Sequence, residues 1–138
     1  MNNYGNQRAM HQYRQMGVQS QVDDATPHQL IQMMLDAAVG RVAAARGALV
    51  AGEIRTKGEL IGRAIDLVEG LRISLDQKAG GDLAENLFAL YDYMARRLLE
   101  ANLRNDASIL DEVASLLREL QDGWRVMGQT LAAEATPA

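Results

Sequence analysis

The chain has no cysteine at all, which excludes disulfides and thiolate metal sites and fits a reducing compartment. It has only two histidines, His11 and His28, so the Glu-x-x-His pairs of a di-iron bundle cannot be assembled. A nucleophile beside a histidine base is equally hard to place, because Ser20, Ser74, Ser108 and Ser115 lie in no such context. Gly80 and Gly81 lack the surrounding glycines or Lys-Ser/Thr that would cradle a phosphate, and they read as a turn. Carboxylate pairs such as Asp111-Glu112 fall on the polar side of a helical pattern, where a solvated face is the simple explanation. Together these gaps argue against an enzyme and against any cofactor or bound metal. Basic residues form no stripe that could track a phosphate backbone, and the net charge is -4, so nucleic acid is not an expected partner. No apolar run approaches the roughly 18 residues that span a bilayer, and the N-terminus lacks the pattern of a secretion signal. A soluble, cytoplasmic protein without membrane insertion is the expectation.

What is present is helical periodicity. The apolar residues are mostly Leu, Ala, Val, Ile and Met, with one Trp, one Phe and four Tyr, a mixture that favours helix over strand. Thr26-Pro27-His28-Gln29 reads as a helix start, with Thr26 as N-cap, Pro27 in the first turn and Gln29 closing a capping box. His28 is then a surface residue of that first turn. Leu30, Ile31, Met34, Leu35, Ala38, Val42, Ala45 and Leu49 keep the helical period up to Gly52. A second period runs from about Ile54 to Leu75, with the pairs Glu53/Lys57 and Glu59/Arg63 on its solvated flanks. Ala79-Gly80-Gly81 breaks it, and a third helix starts near Asp82 with Leu83, Leu87, Leu90, Tyr91, Met94, Leu98 and Ala101 on one stripe. Asp106 caps a fourth, which keeps Ile109, Val113, Leu117, Leu120, Trp124, Met127 and Leu131 in phase. Such short connections force neighbouring helices to run antiparallel, so the expected fold is all-α, an up-down-up-down four-helix bundle over residues 26–131. Residues 1–25 are expected to form a flexible N-terminal arm and residues 132–138 a disordered tail. Within the arm, Tyr13 and Met16 stand three apart, a spacing that gives one helical turn a small apolar face. Met33, Met34, Met94 and Met127 are either core filler or the pliable lining of a groove for another helix.

The run Leu90-Tyr91-Asp92-Tyr93-Met94-Ala95-Arg96-Arg97-Leu98, followed by Glu100-Ala101-Asn102 and Asp106, resembles the FliS-type flagellar export chaperones. Ala25-Thr26-Pro27, Met33-Met34, Lys57 with Ala64, Gly80-Gly81, Glu112-Val113 and Trp124 follow the same family pattern in order, from about residue 10 to residue 127. The chain departs from it at Leu35-Asp36-Ala37, where the family often has an aromatic followed by a polar residue and glycine. The resemblance implies a four-helix bundle that binds the disordered C-terminal segment of flagellin in the cytosol, prevents its premature polymerisation and helps present it to the flagellar export gate when loaded. The partner-binding residues expected are Tyr13, Met16, Met34, Tyr91, Tyr93, Met94, Arg97, Ala101 and Asn102. Monomer and dimer both stay open. The residues alone also allow a structural four-helix scaffold or dimerisation module whose apolar faces all meet internally.

Overall fold

The computed structural model describes Gln7, residues 24–75 and residues 77–135. The expected arm, with Tyr13 and Met16, lies outside the described residues apart from Gln7, Asp24 and Ala25. Four helices follow one another: α1 (Pro27–Val50), α2 (Ile54–Ile73), α3 (Gln77–Arg104) and α4 (Ala107–Ala135), and no strand occurs among the described residues.

Each boundary has a local cause. Thr26 closes a capping box on α1: the Gln29 amide donates to Thr26 Oγ1 at 3.1 Å and the Thr26 amide donates to Gln29 Oε1 at 3.0 Å. Gly52, at φ 78°, ends the same helix in a Schellman turn, where the Glu53 amide donates to the Ala48 carbonyl and the Gly52 amide to that of Leu49. Asn105, at φ 53°, does the same for α3, with the Asp106 amide reaching the Ala101 carbonyl. Asp106 then accepts from both the amide and the hydroxyl of Ser108, capping α4 and holding its own carboxyl below the usual carboxylate range. Between α2 and the body of α3 the chain turns at Gly81, whose φ of 56° and ψ of -134° belong to a region that side chains avoid. The break falls where Ala79-Gly80-Gly81 places it, after a single helical turn at Gln77–Gly80.

The helices form a ring in which α1 packs on α2 and α4, and α3 packs on the same two. Side-chain pairs fix the antiparallel sense. His28 faces Trp124 and Arg46 faces Asp111 across α1 and α4, while Lys57 meets Asn102 and Arg72 meets Phe88 across α2 and α3. One core fills the centre, with Met34, Ala38, Ile61, Ala64, Val68, Met94, Leu98, Leu110 and Leu117 fully enclosed. Burying side chains of this kind contributes about 1.5–3 kcal/mol each before chain entropy is counted. No helix among the described residues is long and apolar enough to cross a membrane.

Two expectations of the sequence need correction here. Lys57 is not on a solvated flank beside Glu53: it is 3% exposed, and its ammonium donates to the Asn102 carbonyl at 3.0 Å and to Asn102 Oδ1 at 2.7 Å. Glu59, for its part, pairs with Arg55 one turn back. Leu83 leaves the third stripe, being 62% exposed in the first turn after the Gly81 break, where its neighbour Ala84 is the residue that is buried.

Gly40 and Gly123 sit mid-helix with nothing within 4 Å of a would-be Cβ. Replacing either by alanine is expected to stabilise the fold by about 0.5–1 kcal/mol through lower chain entropy alone. Chemical denaturation checks it: a higher midpoint at unchanged slope.

Candidate functional site

At the end of the bundle where α1 and α3 begin and α2 and α4 finish, the described residues leave the core open. A cavity of about 370 Å³ opens there, lined by Pro27, His28 and Ile31 of α1, by Leu71, Ser74 and Leu75 around the end of α2, by Leu87 and Tyr91 of α3, and by Trp124, Met127 and Leu131 of α4. No Asp, Glu, Lys or Arg lines it among the described residues. One cause is unequal helix length: α4 has 29 residues against 24 for α1, and His28 in the first turn of α1 already faces Trp124 and Gly128. The remainder of α4 therefore carries its apolar stripe past the bundle, leaving Met127 43% and Leu131 49% exposed.

His28 and Trp124 lock the wall. Their rings stack with centroids 4.5 Å apart and planes 7° from parallel. Trp124 Nε1 donates to the His28 carbonyl at 2.9 Å, and His28 Nε2 lies 3.0 Å from the Trp124 carbonyl, so that nitrogen carries the proton and donates. His28 is thus half-buried and holds two helices together, which corrects its expected place as a surface residue of the first turn. The sequence places it correctly in that turn but says nothing of which way the turn faces.

Tyr91 is 5% exposed against the cavity, and burial pushes its hydroxyl up to about 12. Tyr93 and Arg97, one turn apart on α3, converge on Glu112 of α4: the Tyr93 hydroxyl donates to Oε2 at 2.6 Å and Arg97 Nε to Oε1 at 2.8 Å. Arg97 also donates to Glu100 at 3.0 Å. These bonds, from Tyr93 first and Arg97 second, hold the Glu112 carboxyl below its ordinary range, while Tyr93 is raised by the same contact. The cluster straps α3 to α4 at the surface, where Tyr93 stays 38% exposed.

The expected partner-binding residues thus separate into groups. Met34, Met94 and Ala101 are wholly enclosed in the core, Tyr91 faces the cavity, and Tyr93 with Arg97 forms the exposed strap. Asn102 lies at the opposite end, engaged by Lys57. The four methionines divide as well: Met34 and Met94 are core, Met127 lines the cavity, and Met33 borders a shallow cleft with Asp24, Ala25, Gln29 and Gln32. Sequence reasoning named Met127 as a possible groove lining but missed His28, Ile31, Leu71, Leu75, Leu87 and Trp124 as cavity residues. One available signal was that Trp124, the single tryptophan, lies in the later part of a stripe that runs on to Leu131.

Residues 9–131 match the family described as "Flagellar protein FliS". The flagellar secretion chaperone FliSB of Pseudomonas aeruginosa is 51% identical over 117 residues, covering 85% of this chain and 93% of that protein. The flagellar secretion chaperone FliS of Salmonella typhimurium is 47% identical over 114 residues, 82% of this chain and 84% of that protein. The flagellar secretion chaperone FliS of Bacillus subtilis is 30% identical over 107 residues, 78% of this chain and 79% of that protein.

Proposed function

The chain belongs to the FliS family of flagellar proteins, and from that premise we propose that it is a cytosolic export chaperone that holds the C-terminal segment of flagellin. It keeps the segment from polymerising before export and assists its delivery to the flagellar export gate. The observation that carries this reading is the open apolar end of the bundle, where Ile31, Leu75, Leu87, Trp124, Met127 and Leu131 surround a cavity that no described residue fills. An amphipathic helix lays its apolar face into such a groove, and Met127 adds a side chain that adapts to its contours. In this reading, covering the apolar face of the segment keeps it from associating with other copies, without any covalent step. A scaffold whose apolar faces all met internally would leave no such opening.

The direct test is co-purification of the tagged full chain from a flagellated cell, with flagellin as the expected companion and its absence as the refuting outcome. Tyr93 and Arg97 supply a finer test, since tyrosine and arginine are the usual anchors of an interface. Changing both to alanine is expected to weaken binding of flagellin roughly tenfold or more. Glu112 returns to solvent when its two donors are lost, so the melting temperature should stay within a few degrees. A large drop in stability with unchanged affinity would make the strap purely structural.

A further inference from the structure

At the end of the bundle away from the cavity, Lys57 fixes from below the direction of a polar group at the surface. Lys57 is 3% exposed, and its ammonium donates to Asn102 Oδ1 at 2.7 Å and to the Asn102 carbonyl at 3.0 Å. No carboxylate among the described residues pairs with it. An ammonium has donors only, so the atom turned toward it is the amide oxygen, and Nδ2 points the other way. No described residue accepts from Nδ2, and it is not one of the enclosed polar atoms without a partner, which are Gln32 Oε1 and Arg41 Nε. Asn102 is half-buried, so its two N–H donors are open to solvent. Their surroundings are apolar: Leu99 and Leu103 on α3 are 52% and 76% exposed, and Ile54 on α2 is 49% exposed. Gly58, whose would-be Cβ lies 3.7 Å from Asn102 Oδ1, and Gly62 one turn on leave the facing side of α2 without side chains. Glycine inside a helix weakens it, and a buried cation supports a core less well than packed apolar side chains. Both features keep a donor open and aimed.

We infer that Asn102 is a specificity-determining residue of a second contact with the partner segment, its carboxamide donating to a main-chain carbonyl at the C-terminal end of a bound helix, with Lys57 as the positioning residue. The occupant is the flagellin segment, so the inference rests on the proposed function and deepens it. Three features select that chemistry. The group presented is a donor, so it calls for an acceptor, and the last turn of a helix carries carbonyls that have no partner within the helix. The ammonium behind the amide has no anion beside it, and its charge suits the partial negative charge of a helix C-terminus. The exposed Leu99, Leu103 and Ile54 take the apolar face of the same helix, and the glycines at 58 and 62 let its backbone come close enough for the bond. Asn102 lies about 16 Å along α3 from Tyr91, at about 1.5 Å per residue, so one segment reaches both this contact and the cavity. A segment without a free carbonyl at that point would cover the amide, leave it unpaired and bind more weakly, which is how one aimed donor sets specificity.

Asn102→Asp tests the inference, because it keeps the inward oxygen and replaces only the outward nitrogen. The inner oxygen then meets the ammonium as a carboxylate, so the melting temperature is expected to equal or exceed that of the wild type. The outer one becomes an acceptor facing the partner's carbonyl. The probe is a synthetic peptide of the flagellin C-terminal segment, titrated by calorimetry into the full wild-type chain and into each variant. Wild-type protein is expected to bind, and Asn102→Asp to bind roughly tenfold or more weakly. Gly58→Met is the uncharged companion: it lays a side chain over the amide at a helical position where methionine is favoured, so it too should bind more weakly without melting lower. A role confined to the fold would change stability and leave affinity alone. Affinity of Asn102→Asp within twofold of wild type overturns the inference and leaves the chaperone reading in place. Should Asn102→Asp melt several degrees lower, Gly58→Met decides alone, weaker binding supporting the inference and affinity within twofold overturning it. Failure of the wild-type chain to bind the peptide overturns the chaperone reading itself, and the inference with it.

Discussion

Lys57→Ala is expected to destabilise the bundle by about 3 kcal/mol, seen as a fall in melting temperature on the order of 10 °C. Lys57 is 3% exposed and its ammonium is held by two neutral amide oxygens of Asn102, the main-chain one at 3.0 Å and the side-chain one at 2.7 Å. Hydrogen bonds from a charged donor contribute about 1.5–3 kcal/mol, more than neutral ones. The main-chain acceptor lies in the last turn of α3, where a cation also meets the negative end of the helix. Alanine removes both bonds, leaves both oxygens without their donor, and empties the space of the butyl stem. Lys57→Met restores most of the stem without the charge, so it should recover part of the loss, and the remainder measures the ammonium. Asn102→Ala should cost a comparable amount, since it strips the cation of its closest partner, and the double variant should lose less than the sum of the two. A Lys57→Ala protein melting within 2 °C of wild type would mean that the pair contributes nothing net to stability.

That lysine also shows what sequence carries and what it conceals. The caps are local chemistry, and Thr26 with Gln29, the glycines at 80 and 81, and Asp106 each sit at the boundary they announce. Lys57 is different because two patterns compete for it. Spacing to Glu53 makes it look like half of a surface ion pair, yet it is also in phase with Ile61, Ala64, Val68 and Leu71, the buried stripe of α2. The stripe wins because Asn102 stands opposite to accept the charge, and nothing in the order of residues brings positions 57 and 102 together. The candidate site has the same character. Tyr91 and Tyr93 adjoin in sequence but point to different places, one into the cavity and one onto the strap with Glu112. The cavity takes its walls from the ends of four helices, and a periodic pattern does not reveal where a helix outruns its neighbours. Met127 and Leu131 keep the same period as Val113 and Leu117, yet the first pair is exposed and the second enclosed. Tyr13 and Met16, the arm positions expected to touch the partner, lie outside the described residues.

Trp124→Ala is expected to cost about 2–4 kcal/mol, since it removes a half-buried aromatic side chain, its stack on His28 and the bond from Nε1 to the His28 carbonyl in one step. It should also weaken binding of the flagellin segment, because the ring forms part of the cavity wall. A loss of stability on removing a tryptophan is easy to obtain for several reasons, so the sharper test of the lock is Gly128→Ala. In a helix interior, glycine to alanine ordinarily stabilises by up to about 1 kcal/mol, the outcome expected for Gly40→Ala. At Gly128 a Cβ would lie 2.5 Å from His28 Nε2 and 2.9 Å from Cδ2, distances at which something must move. The imidazole is not a free end that can swing aside, because it is stacked on Trp124 and bonded to the Trp124 carbonyl. Displacing it forfeits a stack of about 0.5–1.5 kcal/mol and a hydrogen bond of about 1 kcal/mol, which together exceed the gain in helix propensity. The net is therefore a destabilisation on the order of 1 kcal/mol, opposite in sign to the change at Gly40. Combining Gly128→Ala with His28→Ala removes the obstacle, so in that background the alanine at 128 should stabilise as it does elsewhere in a helix. If Gly128→Ala raises the melting temperature of the otherwise wild-type chain, the His28 ring is not held against α4 and the lock does not exist.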